Sequence, residues 1–568
     1  MQKRWVQKKQ SDSPAVGQLA KALNIDHVLA SMLVQRGVSN FEEAKIFFRP
    51  DLAYLHDPFL MKDMDVAVER IDLAISKGEK ILVYGDYDVD GTTSVALMYQ
   101  FLKARYDRVE YYIPDRYKEG YGISFIGIDY AAANNFSLII SLDCGIKAND
   151  KILYACERKV DFIICDHHLP GEILPAAVAV LDPKRNDCKY PFKELSGCGV
   201  GFKLAQAYCM KHNIDLKELF QYLDLVAVSI AADIVPIIGE NRTLAHFGIQ
   251  KLRDNPCMGI KTIMQLNNIK RNLTITDIVF VIGPRINAAG RMDDAKNAVK
   301  LLIATEEEEA HAAAQKITSN NTQRQNLDTN TTQQAVQMIQ ESTVLQNKKT
   351  TVLFNPEWHK GVIGIVASRL IDKYFYRPTI IFTESNGKAT GSARTVKDFD
   401  IYRAIDSCSD LLEQFGGHTH AAGLTMSLSN LNTFTERFEQ IVADTITDDE
   451  LIPDVEYETL LPFHEITPKF IRVLKQFAPF GPGNMVPVFM AEGVQDVGNI
   501  RIVGRDHLKL DLTHENFKGQ FFAAIAFQQS AKYNVISKGI PFNICYSLEE
   551  NEWKGETKVQ LNVKDINF

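Results

Sequence analysis

Residues 80–91 read KILVYGDYDVDG, an apolar run that leads directly into three aspartates and a glycine. The residues that follow, TTSVALMYQFLKARY, place apolar side chains at helical spacing. The same order of apolar strand and polar turn recurs downstream in RVEYYIPD, SLIISLDCG, VDFIICDHH and AVAVLDPK. Near-continuous apolar strands separated by helices are typical of a parallel sheet that is covered on both faces. The stretch therefore predicts an α/β domain over residues 76–303.

Ionisable side chains follow the predicted strands at the points where the strands end. They are Asp86, Asp88 and Asp90 after the first strand, Asp143 after the second, and Asp166, His167 and His168 after the third. Because the carboxyl ends of parallel strands meet in one crevice, we expect these side chains to converge. Carboxylates that converge repel one another unless cations neutralise them. Oxygen and imidazole ligands without thiolates favour Mn²⁺ or Mg²⁺ over zinc.

Each of these signals also has a simpler interpretation. Asp233 in AADIVP ends a predicted apolar helix and is a candidate for the last ligand of a second metal, but it could instead cap a turn before Pro236. A DxD taken alone is more often an Asx turn, and a His-His pair is more often packed or at the surface. GDYDVDG resembles a calcium loop, but Leu97 occupies the position of its closing glutamate. Cys144 has no apparent activating base, which disfavours a thiol nucleophile. Only the conjunction of four acid-bearing ends favours a metal site.

Composition limits the classes of protein to which the chain can belong. The chain has 568 residues, too many for one hydrophobic core, so we expect three or four domains. Its residues are 46% hydrophobic and 24% charged, which is typical of soluble globular proteins. The net charge of −8 disfavours nonspecific coating of nucleic acid, so any path for it must be a local basic groove. No apolar stretch reaches the roughly 18 residues of a membrane span, and the start of the chain is polar. The nine cysteines form no CxxC pair, which indicates reduced thiols. We expect a cytoplasmic protein that does not associate with membranes.

Changes in pattern along the chain predict five segments. Residues 1–75 form a helical segment packed on the first α/β domain, residues 76–303. Residues 304–348 form a long, polar connector helix, for which a flexible linker is the alternative. Residues 349–450 form a second α/β domain, with a hairpin at Asn386-Gly387 and a glycine-rich turn at Gly416-Gly417. Residues 451–568 alternate like the strands of a small antiparallel, OB-like barrel.

Ordered motifs connect these segments to a known family. DYDVD, SLDCG, DHH and AADIVP resemble the DHH phosphoesterase superfamily, and GGHTHAAG (416–423) resembles the glycine-rich motif of its companion DHHA1 domain. Within the superfamily, VYGDYDVDG, GPRINAAGR (283–291) and FAPFGPGN (477–484) resemble the RecJ family of single-strand-specific 5′→3′ exonucleases. The resemblance covers the chain from about residue 15 to its last residue. It implies a DHH domain over residues 76–303, a DHHA1 domain over 349–450 and an OB-like nucleic-acid-binding domain over 451–568.

The resemblance also implies a cofactor, a reaction and roles for individual residues. Two divalent cations, Mn²⁺ or Mg²⁺, are held by Asp86, Asp88, Asp90, Asp143, His167 and Asp233. Asp143 bridges the cations and His168 contacts the scissile phosphate, so Asp90, Asp143 and His168 are the expected catalytic residues. Members with smaller substrates often carry a histidine where this chain has Tyr84, which leaves the ligand set of the first metal open. The expected reaction is hydrolysis of single-stranded DNA from its 5′ end in repair and recombination. We expect a monomer, with a single-strand-binding protein and a helicase as candidate partners.

Basic residues near glycines are expected to bind DNA phosphates, because arginine forks match phosphate oxygens. We predict a 5′-phosphate pocket made of Arg116, Ser392 and Arg394, and contacts to the DNA backbone from Arg285, Asn287 and Arg291. GGHTHAAG adds backbone amides, His418 and His420. Interdomain ion pairs are the alternative role for any one arginine. The barrel candidates for contact with a single strand are Phe521, Phe522, Phe527, Arg501, Arg505 and Lys509.

Two other functions compete with this interpretation. A different DHH phosphodiesterase would act on short oligonucleotides, cyclic dinucleotides or pyrophosphate, but the extra barrel favours a long polymer. A catalytically silent binding subunit of a replication or repair assembly would be expected to have lost its metal ligands, and every expected acid is present.

Overall fold

The structure is a computed structural model that describes residues 3–9, 14–269, 273–517, 519–553 and 556–568. Its strands are β1 (Arg4–Gln7), β2 (Lys80–Gly85), β3 (Val109–Tyr112), β4 (Phe136–Leu142), β5 (Asp161–Cys165), β6 (Ala179–Leu181), β7 (Thr351–Phe354), β8 (Thr379–Ser385), β9 (Lys388–Arg394), β10 (Gln414–His418), β11 (Ala421–Ser427), β12 (Asp454–Tyr457), β13 (Phe489–Asp496), β14 (Arg501–Val503), β15 (His507–Thr513), β16 (Phe522–Ala526), β17 (Phe542–Trp553) and β18 (Glu556–Asn567).

The α-helices are α1 (Pro14–Leu23), α2 (His27–Gln35), α3 (Phe41–Phe48), α4 (Met64–Lys77), α5 (Val89–Lys103), α6 (Phe125–Ala133), α7 (Asn149–Glu157), α8 (Gly197–Lys211), α9 (Lys217–Phe220), α10 (Leu223–Ala232), α11 (Gly239–Asp254), α12 (Met258–Leu266), α13 (Ile275–Asp277), α14 (Gly283–Met292), α15 (Lys296–Ile303), α16 (Glu307–Glu341), α17 (Thr343–Asn347), α18 (Ile363–Lys373), α19 (Ile401–Asp406), α20 (Leu431–Thr445), α21 (Pro468–Lys475) and α22 (Tyr533–Ile536). Among the described helices, none is long and apolar enough to cross a membrane.

The chain divides into two compact units. Unit 1 comprises Met1–Phe41, Gln325–Gln476 and Val486–Phe568, and unit 2 comprises Glu42–Arg324 and Phe477–Met485. The boundary between Arg324 and Gln325 falls inside α16, a helix of 35 residues. The predicted long helix is therefore confirmed, and the alternative of a flexible linker is wrong.

Unit 2 is built on the predicted parallel sheet, with strand order β3-β2-β4-β5-β6 and every pair parallel. Alternate residues of β2 point to opposite faces, as the pleat of a strand requires. Ile81 and Val83 pack into the core that contains α5 and α8, whereas Leu82 and Tyr84 pack into the core that contains α6 and α7. Both faces of the sheet are therefore buried, which explains the near-continuous apolar runs.

Unit 1 contains a second sheet of order β10-β11-β9-β8-β7, in which only β7 and β8 are parallel. Asn386 and Gly387 both have positive φ angles, 55° and 74°, and form the predicted hairpin between β8 and β9. The predicted turn at Gly416 and Gly417 is wrong, because both residues lie in β10 and pair with β11. A Cβ atom on Gly417 would lie 2.3 Å from the carbonyl oxygen of Ala421, so this glycine permits a close approach of strands.

The predicted barrel is also present in unit 1. Its strand order is β13-β17-β18-β16-β15-β14, and a further pairing of β13 with β15 closes it. The prediction of a wholly antiparallel barrel is wrong in one respect, because β16 and β18 pair in parallel. Phe522 packs against Phe463 and Phe517, whereas Phe521 and Phe527 are exposed.

The compact units divide the chain differently from the predicted domains at two places. Residues up to Phe41, predicted as part of a helical segment packed on the DHH domain, belong to unit 1, because β1 pairs in parallel with β12 and the Trp5 indole donates a hydrogen bond to Asp565. The segment Phe477–Met485, predicted as part of the barrel domain, belongs to unit 2.

Candidate metal centre and phosphate-binding residues

Three of the predicted ligands meet around the ring of a fourth, His167. Its Nε2 atom lies 3.1 Å from Asp143 Oδ1, 3.5 Å from Asp233 Oδ2 and 3.7 Å from Asp90 Oδ2. His167 follows β5, Asp143 follows β4, and Asp233 follows α10, whereas Asp90 lies in the first turn of α5. Distant parts of the chain therefore converge at the carboxyl edge of the sheet. Ligand atoms within 4.8 Å of one another form two overlapping groups, Asp90-His167-Asp233 and Asp143-His167-His168.

The Asp90 carboxylate is fixed by the start of α8. It accepts hydrogen bonds from the amides of Gly197 and Cys198, at 2.7 and 2.8 Å, and from the Ser229 hydroxyl at 2.7 Å. The amides of a helix N-terminus favour a negative charge at this position. Gly197 is also needed for space, because a Cβ atom there would lie 2.6 Å from Asp143 Cβ. The sequence prediction overlooked this support, although SGCGVG (196–201) carries the signal of a serine cap and small residues at a helix start.

Asp143 has a left-handed backbone, with φ of 60°, which is uncommon for a residue other than glycine. Its amide donates a 2.8 Å hydrogen bond to the carbonyl oxygen of Cys165 at the end of β5. The neighbouring strand therefore holds the residue in this conformation. Backbone strain of this kind clusters at functional sites.

Asp86 and Asp88 lie in the same loop but outside both groups of close ligand atoms. Asp86 is buried and accepts a 3.2 Å hydrogen bond from the Gly122 amide, and Asp88 caps α5 by accepting one from the Gly91 amide at 3.0 Å. A Cβ atom on Gly91 would lie 2.4 Å from the carbonyl oxygen of Asp86, so the loop packs tightly on its own helix. Direct metal ligation by Asp86 and Asp88 stays a prediction.

The polar atoms of this cluster fit divalent cations. Both ring nitrogens of His167, Oδ1 of Asp143 and Oδ2 of Asp86 are buried without a hydrogen-bond partner among the described residues. A buried polar atom without a partner is costly, and cations bound here would satisfy the carboxylate oxygens and the one ring nitrogen of His167 that carries no proton. The donors are carboxylate oxygens and imidazole nitrogens, which suit Mn²⁺ or Mg²⁺. Burial raises the pKa of the adjacent Cys144 thiol well above its usual value, which disfavours a thiolate ligand or nucleophile.

The electrostatics of the cluster are unfavourable without cations. Burial, followed by the charges of Asp90 and Asp88, raises the pKa of Asp143 well above its usual value and that of Asp233 to about 8. Burial also lowers the pKa of His167. Bound cations would instead lower the pKa values of these carboxyl groups, because an adjacent positive charge favours the ionised form.

Thermal stability in a chelator is expected to fall as pH rises from about 5 to about 9. The Asp233 carboxyl keeps its proton in the folded chain up to about pH 8, against an ordinary pKa of 3.8, and His168 keeps its proton up to about pH 9, against 6.5. The folded state therefore binds more protons than the unfolded state across this range, so deprotonation destabilises it. Added Mn²⁺ should oppose the trend, because cations bind deprotonated acids. Melting curves recorded across this pH range, in EDTA and in Mn²⁺, measure the pH trend and the effect of the cation. Greater stability at the higher pH in EDTA would contradict the prediction.

His168 is held by Asp166, a residue of the DHH motif to which the sequence prediction gave no role. The Asp166 carboxylate is buried and lies 2.7 Å from Nδ1 of His168, and it accepts a 2.9 Å hydrogen bond from the Ile146 amide. Burial lowers the pKa of His168, but the hydrogen bond to Asp166 and its charge outweigh burial and raise this pKa to about 9. On the other side of the ring, Nε2 lies 3.3 Å from the Tyr121 hydroxyl. Asp166 thus orients the His168 ring, and the raised pKa favours its protonated form.

The basic residues of unit 2 lie on elements that border the acidic loop. The Arg116 guanidinium stacks 4.9 Å from the centre of the Tyr87 ring. A Cβ atom on Gly290 would lie 2.7 Å from the Tyr87 carbonyl oxygen, so α14, which carries Asn287 and Arg291, packs on the same loop. Arg285 already has hydrogen-bond partners within the protein. Its guanidinium donates to the carbonyl oxygen of Val281 at 2.7 Å and to the side chain of Asn267.

In unit 1, Ser392 and Arg394 lie together on β9. The Arg394 guanidinium donates to the Ser392 hydroxyl at 3.1 Å and to the carbonyl oxygen of Ala393 at 2.7 Å. Burial, followed by the charges of His420 and Arg394, lowers the pKa of His418. Within the described ranges no ion pair joins Arg394 to a carboxylate, which fits an anion site and not the alternative of a structural ion pair.

Comparison with known proteins places this geometry in a family. Three family descriptions match in order: "DHH family, N-terminal domain" over residues 80–230, "DHHA1 domain" over 347–444 and "RecJ OB domain" over 457–565. The single-stranded-DNA-specific exonuclease RecJ of Bacillus subtilis (strain 168) is 37% identical over 98% of this chain and 70% of the relative. The protein of the same description from Escherichia coli (strain K12) is 30% identical over 95% of both chains. The crystal structure of RecJ in complex with Mn²⁺ from Thermus thermophilus matches with a TM-score of 0.85 and 27% identity, over 100% of this chain and 79% of that one. The chain therefore belongs to the RecJ family of the DHH phosphoesterases.

Proposed function

We propose that this chain is an exonuclease that hydrolyses single-stranded DNA from the 5′ end, in DNA repair and recombination, with Mn²⁺ or Mg²⁺ as cofactor. The observation that carries the proposal is the buried His167 ring, both of whose nitrogens lack a hydrogen-bond partner among the described residues while three carboxylates surround it. The relatives named above are single-stranded-DNA-specific exonucleases, and a similar solved structure is in complex with Mn²⁺.

The proposed reaction assigns a distinct task to each side chain at the cluster. His167, Asp90, Asp143 and Asp233 would hold the cations, with Asp86 and Asp88 as further candidates. Cations bound there would polarise the scissile phosphate and supply a hydrolytic water of lowered pKa. Asp90 is preorganised by the amides of α8, so it does not reorient during the reaction. His168, kept protonated by Asp166, would contact the phosphate through Nε2 and stabilise its developing charge.

The 5′ end would be recognised through its terminal phosphate. Ser392 and Arg394 supply a hydroxyl and an arginine fork at one place on β9, and His418 and His420 add imidazole donors. Arg116 stays a predicted contact to the terminal phosphate. The proposed contacts to phosphates near the cations are Arg285, Asn287 and Arg291. For the whole molecule we propose a cytoplasmic monomer that cooperates with a single-strand-binding protein and a helicase.

The Arg394→Ala variant is expected to raise KM about thirtyfold on 5′-phosphorylated single strands, with little change in kcat. A charge-assisted hydrogen bond to a phosphate contributes about 2 kcal/mol, and kcat should change little because Arg394 is not part of the metal cluster. Steady-state kinetics on 5′-phosphate and 5′-hydroxyl oligonucleotides measure the effect, which should nearly vanish on the hydroxyl substrate. Arg437→Ala, which removes a surface ion pair with Asp410 in the same unit, is the matched control. Equal losses on both substrates would contradict recognition of the terminal phosphate.

The activity itself is tested with oligonucleotides labelled at either end, single-stranded or blunt duplex, with Mn²⁺, Mg²⁺ or EDTA. We expect cation-dependent release of nucleotides from the 5′ end of the single strand. Degradation of blunt duplex at the same rate, or hydrolysis in EDTA, would overturn the proposal. Cleavage restricted to very short oligonucleotides would favour the alternative DHH phosphodiesterase.

A further inference from the structure

The segment Phe477–Met485, which reads FAPFGPGNM, has no role in the reaction derived so far. In sequence it lies between α21 and β13, and both of these elements belong to unit 1. The segment itself belongs to unit 2, which also contains the candidate metal ligands Asp90, Asp143, His167 and Asp233. A stretch of the C-terminal region is therefore part of the unit that holds the candidate ligands.

Arg242 on α11 fastens the first half of this segment. Its guanidinium donates hydrogen bonds to the carbonyl oxygens of Phe477 at 2.8 Å, Ala478 at 3.1 Å and Pro479 at 3.4 Å. The same side chain is buried, bonds the carbonyl oxygen of Phe47 and lies 3.8 Å from the centre of the Phe47 ring. An arginine fork that binds several carbonyl oxygens at once fixes the path of the backbone.

Asn484 closes the segment into a compact loop. Its side-chain amide donates to the carbonyl oxygens of Phe477 at 2.7 Å and Pro479 at 2.9 Å. Its backbone exchanges hydrogen bonds with Gly481, at 2.8 and 3.0 Å. The glycine at the tip is thereby held in one position.

The tip of the loop packs on the backbone that follows Asp233. The amide of Ile237 donates a 2.7 Å hydrogen bond to the carbonyl oxygen of Pro482. A Cβ atom on Gly481 would lie 2.5 Å from Ile237 Cγ1, and one on Gly483 would lie 3.0 Å from Ile238 Cγ2. Ile237 is fully buried and cannot yield toward solvent.

Asp233 differs from Asp90 in how its carboxylate is held. Asp90 is oriented by hydrogen bonds to its carboxylate, but within the part of the chain that the structure describes no hydrogen bond orients the carboxylate of Asp233. Only its amide is fixed, by a 2.9 Å bond to the carbonyl oxygen of Ser229 at the end of α10. The chain then turns through Ile234, whose φ is 61°, into the stretch that the loop covers.

We propose that Phe477–Met485 is a positioning element of the metal centre, which fixes the chain behind Asp233 and so preorganises that carboxylate for a cation. The proposal rests on the proposed function only in that Asp233 holds a cation there. It makes the C-terminal region a contributor to metal affinity, although none of its residues is a ligand. Groups that orient metal ligands commonly change affinity or activity about 10–100-fold when altered.

The test is Gly481→Ala in the full chain, because the added methyl group meets Ile237 and touches no ligand. Mn²⁺ binding is measured by isothermal titration calorimetry without DNA, alongside the Mn²⁺ concentration that gives half-maximal hydrolysis. We expect the Mn²⁺ site that includes Asp233 to lose about tenfold in affinity, with kcat at saturating Mn²⁺ nearly unchanged. Gly17→Ala is the matched control, because a Cβ atom at Gly17 has no neighbour within 4 Å.

Arg242→Lys is the second variant, since it keeps the charge but removes the fork that binds the loop. Melting curves in chelator establish that each variant is folded. Folded variants with unchanged Mn²⁺ affinity would overturn the proposal, and so would unfolding of both, because a positioning role predicts folded chains that bind Mn²⁺ weakly. Failure of the unaltered chain to cut single-stranded DNA would instead count against the proposed function.

Discussion

Asp143→Asn is expected to reduce hydrolysis of single-stranded DNA by about a thousandfold while the chain stays folded. Asp143 Oδ1 is buried, has no hydrogen-bond partner among the described residues and lies 3.1 Å from His167, so we expect its charge to bind the proposed cations and not to support the fold. Asparagine tolerates the left-handed backbone of this position and keeps the shape of the side chain, but it lacks the charge. The measurement is kcat at saturating Mn²⁺ on a 5′-phosphorylated single strand.

The same substitution should stabilise the metal-free chain, by about 2–4 °C in its melting temperature. Burial, followed by the charges of Asp90, Asp88 and Asp233, raises the pKa of Asp143, so folding the metal-free chain must either bury its charge or protonate it, and asparagine avoids both costs. In Mn²⁺ the order should reverse, because the unaltered chain gains more from the cation. Asp410→Asn, at a surface ion pair, is the control expected to change neither quantity. Activity that survives in Asp143→Asn would exclude this cluster as the catalytic site.

Asp166→Asn is expected to lower kcat about a hundredfold with a small change in KM. The carboxylate orients the His168 ring through Nδ1 and keeps it protonated, and an amide does neither as well. Without Asp166 the pKa of His168 falls from about 9 toward its usual value, so the deficit should grow with rising pH. Bound cations lower this pKa further in both proteins, which leaves the direction of the difference unchanged. A pH series of kcat measures it.

Asp224→Asn is the matched control for that experiment. Asp224 is also a buried aspartate of unit 2 that accepts hydrogen bonds from backbone amides, those of Leu225 and Cys257. No histidine among the described residues pairs with Asp224, so Asp224→Asn should lower stability without changing the pH dependence of kcat. A deficit in Asp166→Asn that is independent of pH would mean that Asp166 only supports the fold.

The sheet of unit 2 and the direction in which its acids point were predictable because they depend on local periodicity. Each strand is a short apolar run, and the acids stand at its carboxyl end, so a parallel sheet brings them to one edge whatever the details of packing. The 35 residues of α16 were predictable for the same reason, since the stretch contains neither glycine nor proline and is rich in helix-forming residues.

Features that depend on a distant partner were not predictable from local patterns. Nothing in the sequence near residues 4–7 indicates that β12 is their partner. The pair Gly416-Gly417 has the composition of a turn, and only the pairing with β11 shows that both glycines lie in a strand. The hydrogen bonds from α8 to Asp90 form only because the first turns of α5 and α8, more than a hundred residues apart in sequence, lie next to each other in the fold.

Local patterns in the chain were enough to specify the parallel sheet, the order of the domains and the ionisable side chains that are candidates for the metal centre, because period and residue type are local properties. The folded structure was needed to show which carboxylates come within reach of His167, how Asp166 orients His168, and that a C-terminal loop supports the chain behind Asp233. Those contacts join positions far apart in the chain, and the path of the folded backbone sets the distances between them.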